Sequence, residues 1–320
     1  MRRGTGGGLW RRMGQGRIFT RLTGAFDRMK AGEGNVAKLI ETAALIASDP
    51  PERAEYLHAV LCQVGLPRRR QDARTFDRTS GAASLAIEAG RLWNGRRWIE
   101  QPLPYGTRPR LVLVHVTGEA VRTRSPVVEV GHSIRGFMRE LGADPGGREL
   151  ARFKAQMLAL AACRMTLGAL SRAGNPVTID AKPIRSFEAW LHPTGEQRTL
   201  WPGTLELSAE FFATATAHAV PLDPRALAAL KGSALALDLY TWLAHRLCRV
   251  RRREGVKVTW QNLREQFGQE YSDPRDFRRE AVRAIRAALA VYPHAKVEQV
   301  DGGLLLRPSP PPIRRTITIG

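Results

Sequence analysis

The segment 273–293, DPRDFRREAVRAIRAALAVYP, constrains the fold more than any other stretch, because its pattern fits a helix with two opposite faces. At 100° per residue, apolar side chains gather on one side and arginines gather nearly opposite. The apolar side contains Phe277, Ala281, Ile285, Ala288 and Leu289. The opposite side contains Arg275, Arg279, Arg283 and Arg286, with Arg278 at the edge of the apolar face. The segment therefore predicts a helix that packs one face on a core and exposes an arginine-rich face.

The ends of this helix are also predictable. Asp273 suits the N-cap, Pro274 suits the first helical position, and Asp276 complements the positive end of the helix dipole. Asp276 and Glu280 lie beside the arginines and offset them only in part. Like charges on one helix face repel each other when no anion is near. Two interpretations remain at this point: a solvated surface, or a surface that binds phosphate.

The composition favours a polyanionic partner. The chain has 320 residues, 43% of them hydrophobic, and a formal net charge of +20. This length allows two or three domains, and the charge indicates nucleic acid or, less often, an anionic membrane surface. The three cysteines are too few and too scattered for a disulfide framework, which favours a reducing cytoplasm. No apolar run approaches the roughly 20 residues that span a bilayer, so we expect no membrane segment.

The N-terminus differs from the rest of the chain. Its first 30 residues hold eight Lys or Arg, one acidic residue and many glycines. We predict that residues 1–34 form a disordered basic arm. An organellar transit peptide and a start site assigned too far upstream, with Met13 or Met29 as the true start, are alternatives.

Residues 35–106 are predicted to form an N-terminal helical extension and linker. Amphipathic spacing predicts helices over 36–47 and 52–64, and a polar, basic loop follows over 65–81. The next residues predict a strand pair, or a strand and a turn, closed by a proline-rich boundary near residue 106.

Two modules of about 100 residues are then predicted, at 107–222 and 223–312, before a tail at 313–320. Each has the order helix, strand, helix, helix, hairpin, although periodicity leaves 109–123 open between helix and strand. The first hairpin is predicted within 163–187, and the second turns at Asp301-Gly302-Gly303. This order is that of a winged helix-turn-helix, in which the second helix of the pair enters the major groove. We therefore predict an α+β fold with tandem winged helix-turn-helix domains.

The position of the arginine helix decides between the two interpretations. It occupies the recognition-helix place of the second module, in a strongly basic chain, so we expect it to contact DNA. The helix at 148–156 takes the same place in the first module, with Arg148, Arg152 and Gln156 opposite its apolar face. Lys296 or Arg307 in the second hairpin is placed to reach neighbouring phosphates.

Other chemistry finds little support. No G-x-x-x-x-G-K-[ST] loop occurs, so we predict no ATPase and no cofactor. The pairs His245/Cys248 and His58/Cys62 lack further ligands, so we predict no metal site. The acidic residues Asp180, Glu188, Glu206 and Glu210 form no recognisable nuclease site, and we predict that the protein is not an enzyme. The tryptophans at 93, 98, 190, 201, 242 and 260 are expected in the core.

Several long strings resemble the plasmid-encoded replication initiators of the RepA type. They include LVLVHVTGEAVRTRSPVVEVGHSIRGFMRELG within 81–142, SALALDLYTWLAHRL, and RDFRREAVRAIRAALAVYPHAKVE. The resemblance covers about 35–310, while residues 1–34 match nothing in the family. It implies two winged helices in tandem, binding to repeated origin sequences, local melting, and recruitment of the host helicase and polymerase. It also implies that Arg275, Arg278, Arg279, Arg283 and Arg286 face the repeat, with Arg148, Arg152 and Lys154 as the first module's counterpart.

These observations predict a cytoplasmic, sequence-specific initiator of plasmid replication that binds double-stranded DNA. A winged-helix transcriptional repressor without initiator activity is the alternative. Direct repeats about two helical turns apart beside an AT-rich stretch would favour the initiator, and a lone palindrome the repressor. A homodimer is also expected, with its contact in the first module or in the helices of 36–64.

Overall fold

The computed structural model describes residues 33–171, 173–180, 182–186 and 203–313. The predicted arm 1–34 and tail 313–320 therefore lie outside the described residues, apart from Glu33, Gly34 and Ile313. Helices and strands alternate along the described chain, and its sheets pair strands from distant segments. The predicted α+β class is confirmed.

The N-terminal part begins with one helix and continues mainly as short strands. Its elements are α1 (Glu33–Ser48), β1 (Glu55–His58), α2 (Ala59–Gln63), β2 (Thr75–Ser80), β3 (Ala83–Glu88), β4 (Arg91–Trp93) and β5 (Trp98–Glu100). The helix predicted at 36–47 is confirmed. The helix predicted at 52–64 is wrong over its first half, because residues 55–58 pair with a strand at residues 219–222. Leu57 is buried in this strand, so its apolar character did not distinguish a strand from a helix.

The middle part resolves the ambiguity at 109–123 in favour of a helix. Its elements are α3 (Thr107–Thr123), β6 (Val127–Glu129), α4 (Ile134–Glu140), α5 (Gly147–Ala162), β7 (Arg164–Leu170), β8 (Pro176–Asp180), β9 (Ile184–Ser186), β10 (Thr204–Leu207), α6 (Ala209–Ala217) and β11 (Ala219–Leu222). Helix α3 is buried on nearly all sides, which explains why its sequence shows no clear polar face. The predicted cap of α4 is confirmed, since the Ser133 hydroxyl accepts a hydrogen bond from the Gly136 amide at 3.0 Å.

The first predicted hairpin divides between two sheets. Strands β7 and β8 extend a sheet of order β2-β3-β7-β8, whereas β9 joins a separate sheet of order β6-β10-β9. The prediction that 163–187 forms one hairpin of the first module is therefore wrong in its last strand. Cross-strand apolar pairs explain the first sheet, because buried Leu85 faces Leu167 and buried Ile87 faces Met165.

Strand pairings also cross the predicted boundary at residue 106. Strand β3 pairs with β7, and β1 pairs with β11. The predicted extension 35–106 thus shares two sheets with the 107–222 module. The domain ranges themselves stay predictions.

The C-terminal part follows the predicted order closely. Its elements are α7 (Pro224–Leu230), α8 (Ala234–Arg246), a 3-10 turn (Leu247–Arg249), β12 (Val256–Thr259), α9 (Trp260–Phe267), α10 (Pro274–Ala290), β13 (Val297–Val300) and β14 (Gly303–Leu306). The strands form a sheet of order β12-β14-β13, and Gly302 has a φ of 73° in the tight turn of the hairpin. Helix α8 is buried at every residue from 235 to 245, as its all-round apolar sequence predicts.

A buried ion pair joins these parts. The Arg110 guanidinium of α3 makes two hydrogen bonds to the Asp238 carboxylate of α8, at 2.6 and 2.8 Å. The same guanidinium donates to the carbonyls of Leu66, Pro67 and Gly106, at 2.6 to 3.0 Å. Arg110 and Asp238 are each 5% exposed, so neither charge is hydrated and both depend on these partners. One side chain thereby connects α3, α8 and the segment after α2.

We expect Asp238→Asn to lower the free energy of unfolding by about 3–5 kcal/mol, because it leaves the Arg110 charge buried without a counter-charge. Urea denaturation of the full chain measures this change. Asp180→Asn is the matched control, because its ion pair with Arg164 is exposed to solvent. Equal, small changes in both variants would contradict the structural role of the buried pair.

Candidate nucleic-acid interface

Helix α10 forms as its sequence predicts. The Asp273 carboxylate accepts a hydrogen bond from the Arg275 amide at 2.7 Å, and Pro274 occupies the first turn. The residues buried against the core are Phe277, Ala281, Ala284, Ile285, Ala288 and Ala290. Leu289, which was predicted on this face, is half-buried. The helix therefore presents one face to the core and leaves the other to solvent.

The arginines of α10 (Arg275, Arg278, Arg279, Arg283 and Arg286) are called the arginine stripe below. Four are exposed and Arg286 is half-buried. Arg279 lies 2.9 Å from Asp276 and Arg283 lies 3.1 Å from Glu280, each as an i,i+3 pair. Arg279 and Arg283 remain 71% and 62% exposed in these pairs. Exposed pairs of this kind are weak, so an incoming phosphate or base edge can replace the carboxylates.

Arg278 differs from the other arginines of the stripe because its side chain lies against an aromatic ring. Its guanidinium carbon lies 5.4 Å from the centre of the Trp260 ring, at the start of α9. Arg278 was predicted at the edge of the apolar face, and its contact with the half-buried Trp260 ring agrees with that position. This contact connects the N-terminal part of α10 to the start of α9.

The turn between α9 and α10 is held by the segment after α2. The Glu270 carboxylate accepts hydrogen bonds from the amides of Arg68 and Arg69, at 2.8 and 3.1 Å. The Arg68 guanidinium lies 4.4 Å from the centre of the Tyr271 ring. A side chain at Gly268 would come within 2.7 Å of the Phe277 ring, so the two helices approach closely at a glycine. These contacts hold α10 in one orientation relative to α9 and to the segment after α2.

Arg78 strengthens the same junction from inside the protein. Its buried guanidinium donates to the Gly65 carbonyl at 3.1 Å and lies 3.6 Å from Glu270. Burial lowers the pKa of Arg78 to about 10, while Asp238 and Glu270 oppose that shift. Arg78 therefore stays charged at neutral pH. The loop predicted at 65–81 is wrong over residues 75–80, because they form β2 and pair with β3. The basic residues of 65–81 therefore include Arg78, which lies in a strand and holds the fold, as well as exposed arginines.

The basic residues of the second hairpin lie in different surroundings. Lys296 is exposed, while Arg307 lies 3.4 Å from Glu298 and donates to the Glu254 carbonyl at 3.3 Å. Another basic run, which was not predicted as a site, lies between α8 and β12 and contains the exposed residues Arg249, Arg251, Arg252 and Arg253. The three consecutive arginines of VRRRE in the sequence indicate this basic surface.

The first module carries a smaller basic surface than predicted. Arg148 is exposed, Lys154 is half-buried, and Arg152 lies 2.9 Å from Glu149. A hydrogen bond from Arg108 holds the pKa of Glu149 below its usual value. The prediction that Gln156 lies on the exposed face is wrong, because Gln156 is buried and accepts a hydrogen bond from the Tyr105 amide at 2.7 Å. That backbone amide needs a partner in the interior, which accounts for the inward polar side chain.

The other polar groups of the sequence analysis are dispersed. His58 bonds to the Val60 amide and to the Thr214 hydroxyl, each at 3.0 Å, and burial lowers its pKa to about 4. Asp180 and Glu206 pair with exposed arginines, and Glu188 lies outside the described residues. Three residues that were not among the sequence predictions, His115, Glu119 and Glu140, each have a side-chain nitrogen or oxygen within 4.8 Å of the other two, next to Arg53 and Arg122.

The tryptophans divide into three groups. Trp242 is buried and Trp260 is half-buried, as expected for core residues. Trp93 and Trp98 are exposed, so the expectation that they belong to the core is wrong. Trp190 and Trp201 lie outside the described residues. Among the helices that the structure describes, none is both long and apolar enough to cross a bilayer.

Comparison with known proteins identifies the family. The family described as "Plasmid encoded RepA protein" matches residues 103–262, which is half of the chain. The chain therefore belongs to the plasmid-encoded RepA family, a class of replication initiators. The match begins just before α3 and ends within α9, so α10 and its arginine stripe lie beyond it.

Two solved structures are similar at low sequence identity. They are crystal structures of domains 2 and 3 of RctB, one of them of selenomethionine derivatives. Both are 14% identical, with TM-scores of 0.44 and 0.45, and cover 77% of this chain and 94% and 95% of theirs. Among curated proteins, none matches the sequence.

The geometry of α10 predicts how its two faces contribute to stability. Arg279→Ala and Arg283→Ala should each change the free energy of unfolding by less than about 1 kcal/mol, because their ion pairs are exposed. Phe277→Ala should lower it by about 3–5 kcal/mol, because the ring is buried. Urea denaturation of the three variants measures both effects. A large loss of stability in the arginine variants would mean that the stripe serves the fold.

Proposed function

We propose that this protein initiates plasmid replication by binding repeated double-stranded DNA sequences at the origin, with α10 in the major groove. In this proposal α9 braces α10 across the backbone, and Lys296 and Arg307 of the β13–β14 hairpin contact neighbouring phosphates. Local melting of the origin and recruitment of the host helicase belong to the same proposal. Membership of the RepA family supports the initiator role.

The observation that carries the DNA-binding proposal is the place of the arginine stripe. It lies on the second helix of a two-helix unit, opposite the face that packs on the core. Such a helix can enter the major groove without unfolding its own domain. The side chains near its N-terminal end, at 275, 278 and 279, are the ones expected to meet base edges. Arg283 and Arg286 lie further along the helix and are expected to contact phosphate.

The element order supports a second winged helix in the first module. In the first module α3, β6, α4 and α5 are followed by β7 and β8 and then by β9 and β10, and the sheet order is β6-β10-β9. In the second module α8, β12, α9 and α10 are followed directly by β13 and β14, and the sheet order is β12-β14-β13. On this basis we propose that the wing of the first winged helix is formed by the paired strands β9 and β10, and not by β7 and β8. We propose that Arg148, Arg152 and Lys154 of α5 make a second, weaker DNA contact, since the exposed basic surface there is smaller.

The proposed action is binding and not catalysis, with no cofactor and no metal ion. We also propose a homodimer in balance with a monomer. The exposed apolar residues Ile40 and Leu45 of α1, 40% and 52% exposed, support a contact between copies in this helix.

We expect Arg279→Ala to weaken binding to the specific origin sequence by about 1–3 kcal/mol, because a bidentate contact to guanine is worth that much discrimination. Binding to unrelated duplex DNA should change much less. Arg286→Ala should weaken both alike and reduce the slope of log affinity against log salt by about one unit. Gel-shift titrations of both duplexes over a salt series measure these effects.

Arg164→Ala is the matched control, because Arg164 is an exposed arginine of β7 that pairs with Asp180, outside both proposed recognition helices and their wings. It removes one positive charge and should leave specific binding unchanged. If Arg279→Ala and Arg286→Ala bind origin DNA as the unmodified protein does, the arginine stripe is a solvated face and the site assignment fails.

A further inference from the structure

The β4–β5 hairpin exposes two tryptophans that the fold does not bury. Trp93 and Trp98 are 50% and 58% exposed. Tryptophan is highly buried on average, and two exposed rings on one short hairpin are unusual in a basic surface. The hairpin lies outside the residues matched by the RepA family and away from the arginine stripe in sequence.

The register of the hairpin places both rings on one side. Trp93 pairs directly with Trp98, and Arg91 pairs with Glu100 two residues along. Side chains two residues apart in a strand share a face, so Arg91 lies beside the rings. The two ring centres are 5.6 Å apart, and the Arg91 guanidinium carbon lies 5.6 Å from the centre of the Trp98 ring.

The opposite side of the hairpin anchors it to the protein. Leu92 and Ile99 alternate with the tryptophans and are half-buried. On the tryptophan side, at the base of the hairpin, the Arg74 guanidinium donates to Glu100 at 2.9 Å and to the Ala89 carbonyl at 2.8 Å. The acidic group of the hairpin is therefore neutralised at its base, and the exposed end is left positive.

The tip of the hairpin has a defined shape. The Asn94 side-chain oxygen accepts hydrogen bonds from the amides of Arg96 and Arg97, at 3.0 and 2.8 Å. Gly95 has a φ of 88°, a conformation that favours glycine. Arg96 and Arg97 are both exposed. An open polar cleft of about 230 Å³ continues from the base of the hairpin past Arg70 and Arg74.

This surface combines two features that one ligand class matches. Flat aromatic rings stack on the faces of nucleic-acid bases, and arginines pair with phosphates. In a duplex the base faces are covered by their neighbours, so the rings can stack only on unpaired bases. We propose that the β4–β5 hairpin binds single-stranded nucleic acid, with bases on Trp93 and Trp98 and phosphates at Arg91, Arg96 and Arg97. This site is separate from the proposed duplex site on α10.

The test measures single-strand and duplex binding on the same full-length variants. Fluorescence anisotropy follows a labelled 20-nucleotide oligo(dT) and, separately, a labelled origin duplex. Trp93→Ala/Trp98→Ala should weaken oligo(dT) binding about tenfold or more, because aromatic stacking contributes substantially for each base. Trp93→Phe/Trp98→Phe keeps two stacking rings and should retain most of the binding. Origin-duplex binding and the melting temperature should be unchanged in both variants.

Further measurements distinguish DNA from RNA as the ligand, and a nucleic-acid site from a contact between copies of the chain. Titration with oligo(rU) of the same length identifies whether the hairpin prefers DNA or RNA. Arg279→Ala should lose specific duplex affinity and keep oligo(dT) affinity, so the two proposed sites can fail independently. Unchanged oligo(dT) binding in the double-alanine variant would overturn the proposal. A change in sedimentation with no change in oligo(dT) binding would also overturn it, since the rings would then cover a contact between copies.

Discussion

The buried ion pair between Arg110 and Asp238 is the interaction on which the arrangement of the other parts depends. It joins α3 to α8, and its remaining donors hold the carbonyls of the segment after α2. That segment lies so close to Asp238 that a side chain at Gly65 would come within 2.5 Å of the carboxylate. A buried charge pair makes directional hydrogen bonds that an apolar pair would not, and these favour one relative position of the two helices.

The same segment carries this constraint to the surface. After Gly65, the amides of Arg68 and Arg69 in this segment donate hydrogen bonds to the Glu270 carboxylate. The guanidinium of Arg78, in the following strand β2, lies 3.6 Å from the same carboxylate. Glu270 lies in the turn that directs α10, so the orientation of the arginine stripe is set from the N-terminal part of the chain. The net charge of +20 is thus divided between two roles. Some arginines are buried and hold the framework, while others stay exposed and are free to meet an anionic partner.

The sequence predicts most reliably what depends on neighbouring residues. The Asp273 cap, the two faces of α10 and the turn at Gly302 follow from local spacing, and all appear as expected. Strand β1 and strand β7 each pair with residues more than 70 positions away, and periodicity contains no information about such partners. The prediction that Trp93 lies in the core is wrong for a different reason. A hairpin of two three-residue strands is too short to cover its own rings. The structural roles of Arg68 and Arg78 were likewise hidden, because their acidic partner Glu270 is distant in sequence.

Footprinting of the protein on the intergenic DNA beside its own gene tests the central claim most directly. The account predicts protection of direct repeats about two helical turns apart, next to an AT-rich stretch. It further predicts that protection disappears in a variant carrying both Arg279→Ala and Arg283→Ala, while that variant remains folded. Protection of the same repeats by the variant at the same concentration would contradict the claim that α10 reads the origin.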